Sequence, residues 1–414
     1  MASLKSDFVT VYLGYIFRYA CLVVLIPFYA RVLGPTEYGQ VLVATALGNF
    51  VWAIQNWGFA VVGARNVASA DGPERVQHEF SRHLSARFLL MPVSLLAGLL
   101  GTWWSPVLRE HPVLGLMATC WGIFSGCNLG WFFQGVQAYR TSITAEIINF
   151  ALTLVLALAL VTWSPQASSA LIALLVANAA SLVFSYSKVR AHARLVWGSV
   201  QEGWALLKES LPMFVSAATG ALMANAGTYI LGVYSTPAQA AFYGTAERMV
   251  TTALGLLVPA SQVLLPRFSR MASQQGASTD LQGQQRKAIG WVTAAGALAF
   301  LCALGLAPWV LPLLLGEKFR QAASVLQWFS PIFLVSAFNN SVALYVLMPH
   351  RKDRWITLSG LANAVCSLAL MRFMAQAHGA HGIAASRVFM ELMVAVLMVM
   401  LWRRCQQEDP RPRG

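Results

Sequence analysis

Apolar runs about as long as a bilayer is thick recur along nearly the whole chain: 8–31, 39–62, 84–106, 112–134, 142–163, 168–187, 210–233, 238–266, 289–315, 322–347, 355–375 and 380–402. A helix rises about 1.5 Å per residue, so roughly 20 apolar residues cross a hydrocarbon core about 30 Å thick. A soluble core has no room for twelve such segments. Of the 414 residues 57% are hydrophobic and only 11% are charged, whereas soluble domains carry about 25% charge. The expected fold class is an all-α membrane protein of about 12 transmembrane helices. The first run is too long for a cleaved leader and lacks a small-residue cleavage pattern after it, so it is expected to be a span.

The net charge of +13 would suit a nucleic-acid binder if it were gathered in one patch. It is dispersed by topology instead. With the N-terminus inside, 21 of the 29 Lys and Arg fall in inner segments, among them Arg65, Arg75, Arg82 and Arg87 after the second run and Arg403 and Arg404 after the last. This is the positive-inside pattern, and it predicts that both termini are cytoplasmic. A nucleic-acid partner is not expected. Cys21, Cys120, Cys127, Cys302 and Cys366 lie within runs, which argues against a disulfide framework. His378 and His381 have ligand-like spacing with no acid or thiol close in sequence, so no metal centre is expected. The chain has no phosphate loop, no H-E-x-x-H and no G-x-S-x-G, and neither an enzymatic reaction nor a cofactor is expected.

Polar groups at membrane depth carry what remains. Arg18 stands near the middle of FVTVYLGYIFRYACLVVLIPFY, flanked by Tyr15 and Tyr19; insertion scales charge about 2.5–3.5 kcal/mol for an arginine there. Ser142, Glu146, Asn149 and Thr153 line one face of the fifth run; Asn49, Trp52 and Asn56 line a face of the second; Ser336, Asn339 and Asn340 sit on the tenth. Glu247 and Arg248 are neighbours on the eighth run, about 100° apart around the helix. Arg387 and Glu391 are four apart on the twelfth, so they either neutralise each other or face water. For Arg18, with no acid in its own run, a water-filled chamber is favoured over a structural pair. The excess of arginine over acid at depth points to an anionic cargo bound by Arg18, Arg248 and Arg387, with Tyr15, Asn49, Asn56, Asn149, Asn339 and Asn340 meeting its polar part. Glu146, Glu247 and Glu391 are candidates for ion coupling.

The two halves echo each other. Run 1 leads through RVLGPTEYG into run 2, and run 7 leads through LGVYSTPAQAAFYG into run 8. This predicts an N-terminal six-helix lobe over 1–190, a cytoplasmic interfacial linker over 191–209, a C-terminal six-helix lobe over 210–402 and a cytoplasmic tail over 403–414. Two repeat-related bundles forming a V with a central cavity are a common transporter plan.

Several stretches resemble the bacterial lipid-linked oligosaccharide flippases of the polysaccharide transport family, within the superfamily that also holds multidrug and toxin exporters. They are ARVLGPTEYGQ (30–40), NWGFAVVGARNVA (56–68), LGWFFQGVQAY (129–139), LPMFVSAATGALMANAGTYILG (211–232) and AAFYGTAERM (240–249). The resemblance implies a two-lobed inner-membrane transporter that moves an undecaprenyl-pyrophosphate-linked sugar repeat unit from the inner to the outer leaflet by alternating access. Its implied partners are that lipid-linked oligosaccharide, membrane lipids, and a polysaccharide polymerase with chain-length machinery; the protein itself is expected to be a monomer. The chain departs from the family where an acid usually follows WFFQGV, which is Gln137 here, and where Gly227 and Thr228 replace an Asp and its partner. The alternative is a cation-coupled drug exporter of the same superfamily, which would want acidic pockets rather than arginines.

Overall fold

A computed structural model describes the backbone of residues 2–255, 264–265, 268, 270–271, 278–350 and 352–408, and side chains over 14, 16–255, 264–265, 268, 270–271, 281–350, 352 and 354–405. Tyr15 therefore falls outside the described side chains, and the end of the eighth run falls partly outside the described backbone. Everything regular among the described residues is helix. We number the helices α1 Ala2–Asn56, α2 Phe59–Ala68, α3 Pro73–Trp104, α4 Pro106–Glu110, α5 Pro112–Gly126, α6 Gly130–Gly135, α7 Tyr139–Trp163, α8 Ala167–Val189, α9 Val200–Tyr234 and α10 Pro237–Gly255. They continue as α11 Ser278–Leu315, α12 Arg320–Phe329, α13 Pro331–Val342 and α14 Asp353–Glu408. Eight described helices are long and apolar enough to cross a membrane, and α12 with α13, bent by 41°, gives a ninth candidate. Many large apolar side chains face outward, Val23, Leu96, Trp103, Leu298 and Trp309 among them, as lipid-facing surfaces require.

The expected runs all begin on helix, but their ends are handled in two ways. Run 1 and most of run 2 form the single element α1, broken at Gly34, whose φ of 72° suits glycine, with Pro35 opening the second half; run 2 then crosses a break at Trp57 and Gly58 into α2. Runs 11 and 12 merge into α14 around Gly379, φ 55°. Run 4 is interrupted instead: α5 stops at Gly126, and the Asn128 side chain accepts the Gly130 amide at 2.7 Å to start α6. The helix of the seventh run, α9, begins ten residues earlier than expected, because Ser199 and Glu202 form a capping box that satisfies its first amides.

Close crossings in this part of the chain depend on absent side chains. A Cβ on Gly122 of α5 would lie 2.4 Å from the Gly48 carbonyl of α1 and 2.8 Å from Val51, so backbone meets backbone there, as small residues permit between membrane helices. We expect Gly122→Leu to lower thermal stability by about 3 kcal/mol or more through overpacking that no rotamer relieves. Thermal melts of the purified protein would check this; a melting point within 2–3 °C of the parent, a shift of about 1 kcal/mol at most, would refute it.

The chain divides into two compact units, Met1–Ala240 and Ala241–Gly414. The division follows α9, whereas the sequence reading placed the linker ahead of it, at 191–209. The reason lies in how α9 packs. Trp57 stacks on Phe214 at 3.8 Å with the rings 9° apart, and its indole N–H donates to the Leu207 carbonyl at 3.0 Å. Asn49 donates to Asn225 at 2.8 Å, Tyr229 donates to the Gly101 carbonyl at 2.6 Å, and Ser105 donates to the Gly232 carbonyl at 2.9 Å. From Leu207 to Gly232 α9 is thus fastened to α1 and α3. Pro212 lies within this stretch.

Candidate functional site

In the first unit, α1 and α7 bring Arg18 and Glu146 together at 3.6 Å, with the guanidinium also over the Phe150 ring at 5.5 Å. The sequence reading favoured water over a pair because it searched only within Arg18's own run; the acid comes from the fifth run. The two side chains remain 46% and 37% exposed, so this is an open pair and not a dry clamp. Asn149, one turn from Glu146, has a buried Oδ1 without a hydrogen-bond partner. Asn49 is held by Asn225, and Asn56 is buried at the end of α1.

The second unit gathers another set. The fully buried Tyr243 hydroxyl donates to Glu247 at 3.0 Å, within the electrostatic reach of Arg387. Asn339 donates to the Glu391 carboxylate at 2.8 Å and to its carbonyl at 3.0 Å. Helix periodicity separates the others: Arg248 is half-buried beside the buried Glu247, and Asn340 is exposed while Asn339 is buried. All six cysteines are free thiols, and the His381 ring nitrogen lies 3.0 Å from the Ser324 hydroxyl.

Arg87 is the residue that sequence reasoning missed, having counted it as one more inner charge. Its side chain is buried, 2% exposed, between α1, α3 and the α5–α6 break. It donates to the Gly126 carbonyl at the end of α5 and lies over the rings of Phe59 and Trp131 at 5.7 and 5.6 Å. Among the described residues its Nε and Nη2 atoms have no hydrogen-bond partner, and no carboxylate pairs with it. Gln55 knits the same corner, donating to the Arg87 carbonyl at 2.9 Å and accepting from Ser94 at 2.8 Å. The periodic polar face Glu79, His83, Arg87, Ser94 was the available signal.

With this geometry in hand the comparisons are decisive at the level of family. Residues 4–272 match the family described as polysaccharide biosynthesis protein. The chain belongs to that family. This family member is 21% identical over 400 residues to a protein of Shigella dysenteriae named "Putative O-antigen transporter", covering 96% of this chain and 99% of that one. It is 22% identical over 390 residues to an Escherichia coli K12 protein of the same name, covering 91% of each. Its fold is similar to that of the lipid II flippase MurJ in an inward closed conformation, with a TM-score of 0.72 at 11% identity over 97% of this chain and 89% of that one. An inward-facing multidrug resistance MATE family transporter of the MOP superfamily gives a TM-score of 0.62 at 14% identity, covering 96% of each chain. The family member is thus an all-helical, multi-pass membrane protein with a transporter fold.

Proposed function

We propose that the protein flips an undecaprenyl-pyrophosphate-linked oligosaccharide repeat unit from the inner to the outer leaflet of the bacterial inner membrane by alternating access, with both termini cytoplasmic. The observation that carries this reading is end-to-end likeness to two proteins named as O-antigen transporters. The Arg18–Glu146 pair supports it: a guanidinium at membrane depth, left partly open, suits a phosphate through paired hydrogen bonds. In this reading Arg18, Arg248 and Arg387 meet the pyrophosphate. Tyr15, Asn49, Asn56, Asn149, Asn339 and Asn340 meet sugar hydroxyls, and Glu146, Glu247 and Glu391 carry any coupled ion. The two halves of the chain move as the working parts, and a polymerase with chain-length machinery consumes the product. No chemical step is assigned to the protein, in keeping with relatives named as transporters or flippases.

Proteoliposomes loaded with a fluorescent lipid-linked oligosaccharide test this directly. Protein-dependent exposure of the sugar to an external glycosidase is the expected result. If the probe stays protected while cationic dyes are extruded, the drug-exporter alternative replaces this one.

A further inference from the structure

One carboxylate at the end of unit 1 that carries the 69–72 connection has three donors around it. Glu209 of α9 lies 3.4 Å from Arg82 of α3, 3.7 Å from Arg65 of α2 and 3.4 Å from the Asn66 amide of α2. These contacts are long and partly exposed; Glu209 is 41% and Arg65 64% exposed. Long, wet ion pairs of this kind are weak and exchange readily. Two of the three donors are held without α9. Arg82 is 17% exposed and fixed by Glu79, three residues earlier on its own helix, at 2.8 Å, and the same Glu79 accepts from Asn66 at 3.4 Å. Arg82 and Asn66 are thus held by Glu79, Arg65 stands exposed beside them on α2, and a second carboxylate, Glu209, reaches all three from a different helix.

We propose that Arg65, Arg82 and Asn66 form a docking site for a phosphate-class anion, in which the Glu209 carboxylate stands in for the ligand's oxygens until the ligand displaces it. A pyrophosphate is the better guest: it brings more charge and more acceptors than one carboxylate, and guanidinium forks pair with it in parallel hydrogen bonds. This deepens the flippase reading and rests on it for the source of the ligand, the headgroup of the lipid-linked cargo waiting at the inner leaflet. Displacement of Glu209 by that headgroup couples cargo arrival to loss of the polar contacts that α9 makes with α2 and α3.

The test is binding of inorganic pyrophosphate to the full-length protein in nanodiscs of zwitterionic lipid, followed by calorimetry. Glu209→Gln, which removes the carboxylate charge supplied by α9 and keeps Glu79 and the cations, is expected to bind about fivefold to tenfold more tightly than the parent. Glu209→Gln with Arg82→Gln is expected to lose that gain. Polyprenyl pyrophosphate added to the nanodiscs is expected to displace the inorganic probe from Glu209→Gln, which assigns the site to the lipid headgroup; failure to displace assigns it to a free anion instead and overturns the coupling to cargo. Equal affinity of parent and Glu209→Gln, or a gain that survives Arg82→Gln, overturns the site itself. Unaltered gel-filtration profiles show that each variant is folded. Because binding is read without transport, a negative flipping assay beside intact binding would sink the transport reading and leave the site standing.

Discussion

Arg87→Glu is expected to abolish accumulation of folded protein, while Arg87→Met is expected to leave stability within about 2 kcal/mol of the parent. Three groups around this buried side chain suit a cation: the Gly126 carbonyl at the C-terminal end of α5 and the ring faces of Phe59 and Trp131. A desolvated cation–π contact is worth about 2 kcal/mol, and a cation at a helix C-terminus up to about 2 kcal/mol. A carboxylate reverses the sign of each and adds several kcal/mol for an unmatched buried charge, together comparable to the whole net stability of about 5–15 kcal/mol. Methionine keeps the volume, gives up these attractions, and is spared the desolvation of a charge; the two changes largely cancel. Folded yield of a fluorescent fusion by size-exclusion chromatography, with melts of whatever accumulates, measures both. An Arg87→Glu protein melting within a few degrees of the parent would show that the corner is wet and that our account of it fails.

Arg18→Ala, by contrast, is expected to leave folding alone and cripple transport. The pair with Glu146 is long, 3.6 Å, and half exposed, and such pairs contribute about 1 kcal/mol or less to stability. Hydrogen bonds from a guanidinium to a phosphate are worth about 1.5–3 kcal/mol. Losing them should cut the kcat/KM of flipping roughly 10- to 150-fold with unchanged protein yield. Arg18→Lys, which keeps the charge and loses the planar fork, should fall between. Proteoliposome flipping at parental rate by Arg18→Ala would remove this arginine from the cargo's path.

The helices were legible in advance because the bilayer imposes one length on every span, and that constraint survives in a single sequence. What was hidden follows from geometry across spans. Glu146 was on the page as a polar residue of the fifth run, but nothing in the run announces that it meets Arg18. Asn49 and Asn225 are 176 positions apart, and either alone reads as a generic polar group. Arg87 was misread for a different reason: the topology rule treats an arginine near a helix end as a solvated charge, and only the break after Gly126, which exposes a carbonyl to it, makes burial tolerable. The place where the chain divides was least legible, since the packing of α9 on α1 and α3 is a property of side-chain fit and not of hydropathy.

Pro212 gives α9 an uneven stiffness. With no amide hydrogen to donate, it cannot close the turn onto the Lys208 carbonyl, so the rod is most pliant between Glu209 and the Met213–Phe214 pair that wedges against Gly58 and Trp57. Everything before that joint, from the Ser199 cap to Glu209, is a stub about three turns long. Such a stub is a short stiff lever whose apolar side, Leu206 and Leu207, is buried against Phe59, Val62, Ala86 and Leu90, so swinging it while the remaining turns stay seated uncovers that core as well as parting the contacts of Glu209.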